Sequence, residues 1–110
     1  MEQDELLLKS GFKMVMRAGD ARVLVRQALD HAARFEFDSA REALAKANEE
    51  LLHGHEVQTE VLQKECSGEP QGYNVLFCHG MDTLMTVKSE YELAEKLTDM
   101  MQAINQKLEG

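Results

Sequence analysis

The placement of helix-breaking residues constrains the fold of this chain more than any other feature of its sequence. The 110 residues include a single proline, Pro70, which lies in a short segment, 66–72, together with two glycines and a serine. Proline and glycine interrupt helices and favour turns. We therefore predict one substantial loop over this segment, with long uninterrupted helices on either side.

Two helices are predicted before this loop, and their limits follow from the spacing of apolar residues. Helix one covers about 5–34. A break over 35–39 follows, in which Asp38 or Ser39 is expected to cap the next helix by accepting bonds from its first free amides. Helix two then continues to about Glu65.

Each of these helices has a predicted apolar face. Gly11 and Gly19 weaken helix one, and the segment 18–20 is a candidate for a bend or a close helix approach. The expected apolar positions are Leu8, Phe12, Val15, Met16, Leu24, Ala28 and Leu29 in helix one, and Ala40, Ala43, Leu44, Ala47, Leu51, Val57, Val61 and Leu62 in helix two.

Helix three is predicted from about Asn74 to Leu108, which completes an all-α fold, an antiparallel three-helix bundle. It has two faces that could make contacts. One suits packing on helices one and two, and the other is polar in its first half, so it either meets a second copy of the chain or simply faces water. The packing face comprises Phe77, Leu84, Val87, Tyr91, Ala94, Met101 and Leu108, and the second face comprises His79, Asp82, Thr86, Ser89, Leu93, Leu97, Met100 and Ile104.

Composition narrows the classes of protein that the chain can belong to. A length of 110 residues with 44% hydrophobic content suits one domain, 1–110. The formal charge of -8 opposes binding to nucleic acid or to anionic lipid. No apolar stretch approaches a membrane span and the N-terminus is acidic, so we expect a cytoplasmic protein without membrane insertion. Cys66 and Cys78 are expected to be reduced packing residues.

His79 is the residue of this chain best suited to chemistry. It follows an apolar run and precedes Gly80, whose missing side chain is expected to leave the imidazole accessible to another molecule. Asp82 lies one helical turn further on. A neutral imidazole near a helix start can accept a phosphoryl group, because the helix dipole tolerates the arriving negative charge. The alternative is a structural histidine on a half-buried face. His53 and His55 point to different sides of a helix, which disfavours a shared metal site.

Four motifs follow one another along the chain. They are Ala18-Gly19-Asp20-Ala21-Arg22, His55-x-x-Gln58-Thr59, Glu65-x-x-Gly68-Glu69 and His79-Gly80-x-Asp82-x-Leu84-Met85-Thr86. With them the chain resembles, over nearly its whole length, the lactose/cellobiose-specific enzyme IIA family of the bacterial sugar phosphotransferase system.

The resemblance implies a phosphotransferase component that is a transient phosphohistidine carrier and not a stand-alone catalyst. It assigns His79 as the acceptor of a phosphoryl group from phospho-HPr and as its donor to a cysteine of the cognate IIB protein, during uptake of a disaccharide of the lactose, cellobiose or chitobiose type. It also implies a homotrimer formed through helix three, with Asp82 of each subunit at the threefold axis around a divalent cation, expected to be magnesium. Three carboxylates brought together require such a cation or shared protons.

Two positions beside the proposed acceptor depart from the pattern that the resemblance implies. The family usually has Gln where this chain has Met81, and a second His where it has Thr83, which keeps a hydroxyl. The alternative function is therefore a trimeric binding or regulatory module that no longer relays phosphate. The docking surface for HPr and IIB is expected at an apolar rim around His79 formed by Phe77, Met81 and Met85.

Overall fold

Three helices form the whole architecture in a computed structural model of the protein, which describes the backbone of residues 2–110 and the side chains of residues 4–110. They are α1 (Glu2–Ala33), α2 (Phe37–Cys66) and α3 (Val75–Glu109), and no strand is present over this range. The bundle measures 62 × 21 × 17 Å. The sequence prediction of three helices and one substantial loop is confirmed, with each helix end within a few residues of its expected place.

α1 is the central helix of the bundle, because it packs extensively on both α2 and α3 whereas α2 and α3 contact each other much less. α1 and α3 run parallel to each other. Arg22 of α1 forms two hydrogen bonds of 3.0 Å with Glu90 of α3, and Arg41 of α2 bonds Asp99 of α3 at 2.6 Å. These pairs fix the register of the helices along the bundle.

α1 contributes mainly alanines to the core, and this corrects part of the face predicted for that helix. Leu8, Phe12 and Met16 are more than half exposed. Alanines let helix axes approach closely, so the α1 face with most alanine packs inward and the bulkier row beside it stays outside. The buried apolar residues of α1 are Leu7, Met14, Ala18, Ala21, Val25, Ala28 and Ala32. The face predicted for α2 is confirmed at Ala40, Ala43, Leu44, Ala47, Leu51 and Val61.

The predicted packing face of α3 is confirmed over most of its length. Phe77, Leu84, Val87 and Ala94 are buried. Leu108, in contrast, is 73% exposed. The Arg22–Glu90 register places the end of α1 near residue 101 of α3, so the last turns of α3 extend past α1 and Leu108 has nothing there to pack on.

The two connections differ in how they start the next helix. The expected caps Asp38 and Ser39 are wrong, because α2 already begins at Phe37 and its N-cap residue, Glu36, makes no side-chain capping bond. The carboxylate of Glu36 instead accepts hydrogen bonds from His31 and Arg34. α3, in contrast, has a full cap: the Asn74 side chain accepts a 3.0 Å hydrogen bond from the backbone amide of Phe77.

Candidate functional site

His79 is an exposed residue in the second turn of α3, which begins at Val75. Its imidazole ring makes no hydrogen bond or ion pair with any residue that the structure describes. A ring that is exposed and free of intramolecular partners can present a nitrogen lone pair to another molecule. The alternative of a structural histidine on a half-buried face is therefore wrong for this residue, which is exposed.

The start of α3 provides an electropositive environment for a group bound at His79. Side chains of a helix lean towards its N-terminus, so the His79 ring lies over the first turn. That turn contains no acidic residue. The amides of Val75 and Leu76 are at the positive end of the helix dipole, where anions are favoured.

Gly80 does not open the site in the way expected from the sequence. It is buried against α1, where a Cβ atom on it would lie 2.8 Å from the Gly11 carbonyl oxygen and 3.1 Å from Met14 Cβ. The side chain that Gly80 lacks would therefore point into the bundle and not towards His79. The ring is accessible because it lies on the outer face of α3, and Gly80 serves close packing.

The second face of α3 remains exposed along its whole length. All eight of its residues, from His79 to Ile104, are exposed. Asp82 lies one turn after His79 on this face, and its carboxylate has no partner among the described residues. The C-terminal half of this face is apolar: Leu93 is 60% exposed and Met100 is 53% exposed. The prediction of a second, unpacked face is thus confirmed.

Thr83 uses its hydroxyl hydrogen within the helix. Its Oγ1 donates a 2.7 Å hydrogen bond to the backbone carbonyl of His79. A threonine hydroxyl has one hydrogen to donate, so in this conformation it offers none to a phosphoryl group on the ring.

The other three histidines lie outside this site. His31 Nδ1 is 2.7 Å from Glu36 Oε1 at the α1–α2 turn. His53 is exposed, with its Nδ1 atom 3.9 Å from Glu56 Oε2. His55 lies beside the small cavity between α2 and α3.

Within the described residues no group of three or more His, Cys, Asp or Glu side chains could hold a metal ion, so a metal site formed by one chain alone is absent there.

The apolar surface near His79 differs from the rim expected. Phe77 is 7% exposed and belongs to the core, whereas Met85 is 65% exposed and Met81 is half-buried. Sequence reasoning missed an exposed row on α1, which consists of Leu8, Phe12 and Met16. A spacing of four residues and an alanine-rich neighbouring face were the signals that could have identified it.

Leu8 is the residue of this row that lies near the flank of α3 bearing His79, whereas Met16 lies on the side of α1 that borders α2, beside His53 and Val57. Arg22 and Glu90 join the facing flanks of α1 and α3. His79 precedes Glu90 by eleven residues, which is about three helical turns and returns to the same flank. Leu8 precedes Arg22 by fourteen residues, about four turns, so it also lies near the shared edge. A partner that reaches His79 would therefore meet the exposed Leu8 side chain of α1.

The structure thus presents an accessible histidine near the start of a helix, on a bundle with a large unpacked face. Comparison with known proteins identifies the family. Residues 9–102 match the family model described as the lactose/cellobiose-specific IIA subunit of the phosphotransferase (PTS) system. No helix in the described part of the chain combines the length and apolar character that crossing a membrane requires.

Relatives and solved structures give the same result. A lactose-specific EIIA component of Staphylococcus epidermidis is 38% identical over 100 residues, covering 91% of this chain and 95% of the relative. An oligo-beta-mannoside-specific EIIA component of Bacillus subtilis is 30% identical over 94 residues, covering 86% of each chain. The cellobiose-specific enzyme IIA of Bacillus anthracis superposes with a TM-score of 0.85 at 32% identity, covering 90% of this chain and 91% of that structure.

The chain belongs to the lactose/cellobiose-specific IIA family of the sugar phosphotransferase system. It is therefore a phosphocarrier component of that system, which acts in sugar uptake.

Proposed function

We propose that His79 is the residue that carries the phosphoryl group, taken from phospho-HPr and passed to a cysteine of the cognate IIB protein in the cytoplasm. The supporting observation is the exposed, unpartnered His79 ring at the start of α3, inside the region matched to the family. In the first step a neutral ring nitrogen attacks phosphorus, and the bond to the histidine nitrogen of HPr breaks. In the second a IIB thiolate attacks phosphorus, and the bond to His79 breaks.

The surroundings of His79 suit a group that gains and loses negative charge. The phosphoryl oxygens would lie near the free amides of the first turn of α3, without an acidic side chain in that turn to repel them. The exposed Leu8 of α1 and Met85 of α3 offer apolar contacts on which a partner could dock.

The direct test is incubation with phosphoenolpyruvate, enzyme I and HPr, followed by intact mass measurement. The wild-type chain should gain one acid-labile phosphate, and His79→Ala should gain none while keeping its helicity. Single alanine variants of His31, His53 and His55 serve as controls and should still be phosphorylated. Phosphorylation of the His79 variant would refute the assignment.

The proposal includes a homotrimer formed through α3. Four exposed apolar residues follow one another at spacings of four, three and four, which is the pattern of a coiled-coil seam. Their exposed fractions, between 38% and 60%, represent apolar surface that association would remove from water. These residues are Leu93, Leu97, Met100 and Ile104.

We further propose that Asp82 binds a divalent cation, magnesium by preference, at the axis of this trimer. Asp82 precedes Leu93 by eleven residues and so lies in line with the apolar seam. Its carboxylate is exposed and unpartnered within the described residues, and oxygen donors are the ligands that magnesium prefers. A single chain supplies only one such carboxylate, so the site requires several copies.

Light scattering with three forms of the protein tests the axis. Asp82→Leu removes the repulsion among carboxylates and should keep the trimer while abolishing its metal. Asp82→Lys should dissociate the trimer, because like charges would meet without a bridging cation. Equal masses for all three forms, unaffected by a chelator, would contradict the axial position of Asp82.

The second candidate function is a trimeric binding or regulatory module that does not relay phosphate. The bonded Thr83 hydroxyl favours it, because a side chain next to the acceptor offers no hydrogen to a phosphoryl group. Such a module would form the trimer and yet fail to take up phosphate from HPr.

A further inference from the structure

α1 and α3 come unusually close together at Gly11, directly beneath the first turn of α3. A Cβ atom on Gly11 would lie 2.7 Å from the carbonyl carbon of Leu76 and 2.7 Å from the amide nitrogen of Phe77. Both atoms belong to the backbone, so no side-chain rotation could relieve the contact. Only glycine at this position allows the turn to lie where it does.

Gly80 closes the same contact from the side of α3. A Cβ atom on it would lie 2.8 Å from the carbonyl oxygen of Gly11. Two helices from distant parts of the sequence thus each place a glycine where their backbones approach. In the sequence of α3, His79 lies between the N-cap residue Asn74 and the contact residue Gly80.

The first turn is also held at its front end. The Asn74 side chain accepts the amide hydrogen of Phe77, and the backbone carbonyl of Asn74 accepts that of Cys78 at 3.1 Å. The amide nitrogen of Phe77 therefore lies against Gly11 and is bonded by the cap of α3. Because the His79 side chain leans back over this turn, the position of the turn sets the position of the ring.

The rest of α3 is anchored independently of this turn. Leu84 is buried in the core, and Glu90 is bonded twice to Arg22. A steric clash at Gly11 would therefore displace the first turn of α3 and His79 without moving the whole helix. To reach an ordinary van der Waals distance of 3.4 Å from a Cβ on Gly11, the backbone at Phe77 must move by about 0.7 Å from its 2.7 Å position.

We propose that Gly11 and Asn74 are positioning residues for phosphoryl transfer, which together hold the first turn of α3 so that the His79 ring is aligned with the incoming phosphorus. This rests on the proposed role of His79. It goes beyond that role by naming a residue on another helix, 68 positions earlier, that acts through the α3 backbone.

Gly11→Ala is the principal test. Misplacing a reacting group by about 1 Å can cost about a hundredfold in rate, so we expect a kcat for transfer from phospho-HPr that is lower by about 10- to 100-fold. The KM for phospho-HPr should change little, because Gly11 is buried and the exposed Leu8 beside His79 is untouched. The ring signals of His79 in NMR spectra should shift, and the amide of Phe77 should exchange its hydrogen faster.

Gly54→Ala is the matched control. Its new Cβ would lie 2.7 Å from Leu84 Cδ1, the movable end of a side chain about two helical turns after Phe77, and it meets no backbone atom of the first turn. It should lower stability without changing kcat or the His79 signals. A folded Gly11→Ala protein with wild-type kcat and unchanged ring signals would overturn the proposal, as would an equal loss of kcat in both variants.

Asn74 variants keep the question open to test if Gly11→Ala does not fold. Asn74→Ala should lower kcat and speed exchange at Phe77, and Asn74→Ser, which can cap the helix, should restore both. Failure of serine to restore them would overturn the proposal. If the wild type takes up no phosphate, the role of His79 fails instead, while ring signals and amide exchange still report whether the turn is held.

Discussion

A double substitution at the contact between α2 and α3 tests how this bundle is packed. Gly54 is buried on α2, and a methyl group added there would lie 2.7 Å from Leu84 Cδ1 and 3.5 Å from Arg17 Cβ. Leu84 itself is 3% exposed and borders a cavity of about 70 Å³ between the two helices. Gly54→Ala should therefore have opposite effects on stability, depending on whether Leu84 is present.

The expected magnitudes follow from the contact. Replacing glycine by alanine inside a helix stabilises by about 1 kcal/mol, but forcing a methyl group into a filled site costs about 1–3 kcal/mol. In the wild type Gly54→Ala should thus destabilise by about 1 kcal/mol, the balance of these two effects. Leu84→Ala should cost about 3 kcal/mol. In that background the new methyl meets no obstacle, and Gly54→Ala should stabilise by about 1 kcal/mol.

Urea denaturation of the four proteins, at one fixed protein concentration, measures the cycle. The free energies of unfolding should show a coupling of about 2 kcal/mol between the two sites, with unchanged denaturant slopes. Equal effects of Gly54→Ala in both backgrounds would show that Leu84 does not occupy the space beside Gly54, and the reasoning would be refuted.

Two other expectations concern the α1–α2 turn and the outer surface of α1. Hydrogen bonds from His31 and then Arg34 hold the pKa of Glu36 below its ordinary value of 4.5. The stability that this lowered pKa provides is complete above 4.5 and is lost as the pH falls through the lower folded pKa. The urea midpoint of Glu36→Gln should therefore lie below that of the wild type at pH 7 and match it in strong acid. A constant difference between the two proteins at every pH would contradict the assignment. Gly19→Ala should stabilise by about 0.5–1 kcal/mol, since nothing lies within 4 Å of the new Cβ, and a lower thermal midpoint would contradict this.

The helices were predictable because their signals are local. One proline and a cluster of glycines mark the loop, and the apolar spacing of α2 and α3 selects the buried faces. The face of α1 was predicted only in part. Ala28 is buried as expected, but the bulky row from Leu8 to Met16 faces outward, because alanines make many of the contacts and weighting by hydrophobicity favours the bulkier row. The cap of α2 was missed because the carboxylate of Glu36 bonds His31 and Arg34, which propensity does not reveal.

At the candidate site, sequence reasoning identified the residues better than their roles. His79 and Asp82 lie on one exposed face as predicted from their spacing. The role given to Gly80 was wrong, because the direction of a missing side chain depends on which neighbour the helix packs against. Gly11 could not be connected with His79 from the sequence, since the contact joins segments that only the parallel packing of α1 and α3 brings together.

The central claim is that His79 relays a phosphoryl group between two proteins, and a chase experiment tests it most directly. Phosphorylated protein, freed of HPr, is mixed with its cognate IIB, and the phosphate on each protein is followed over time by mass spectrometry with residue-level mapping. The account predicts that phosphate leaves His79 as it appears on a cysteine of IIB, in equal amounts. Phosphate that maps to another residue, or that leaves His79 only by hydrolysis, would contradict it.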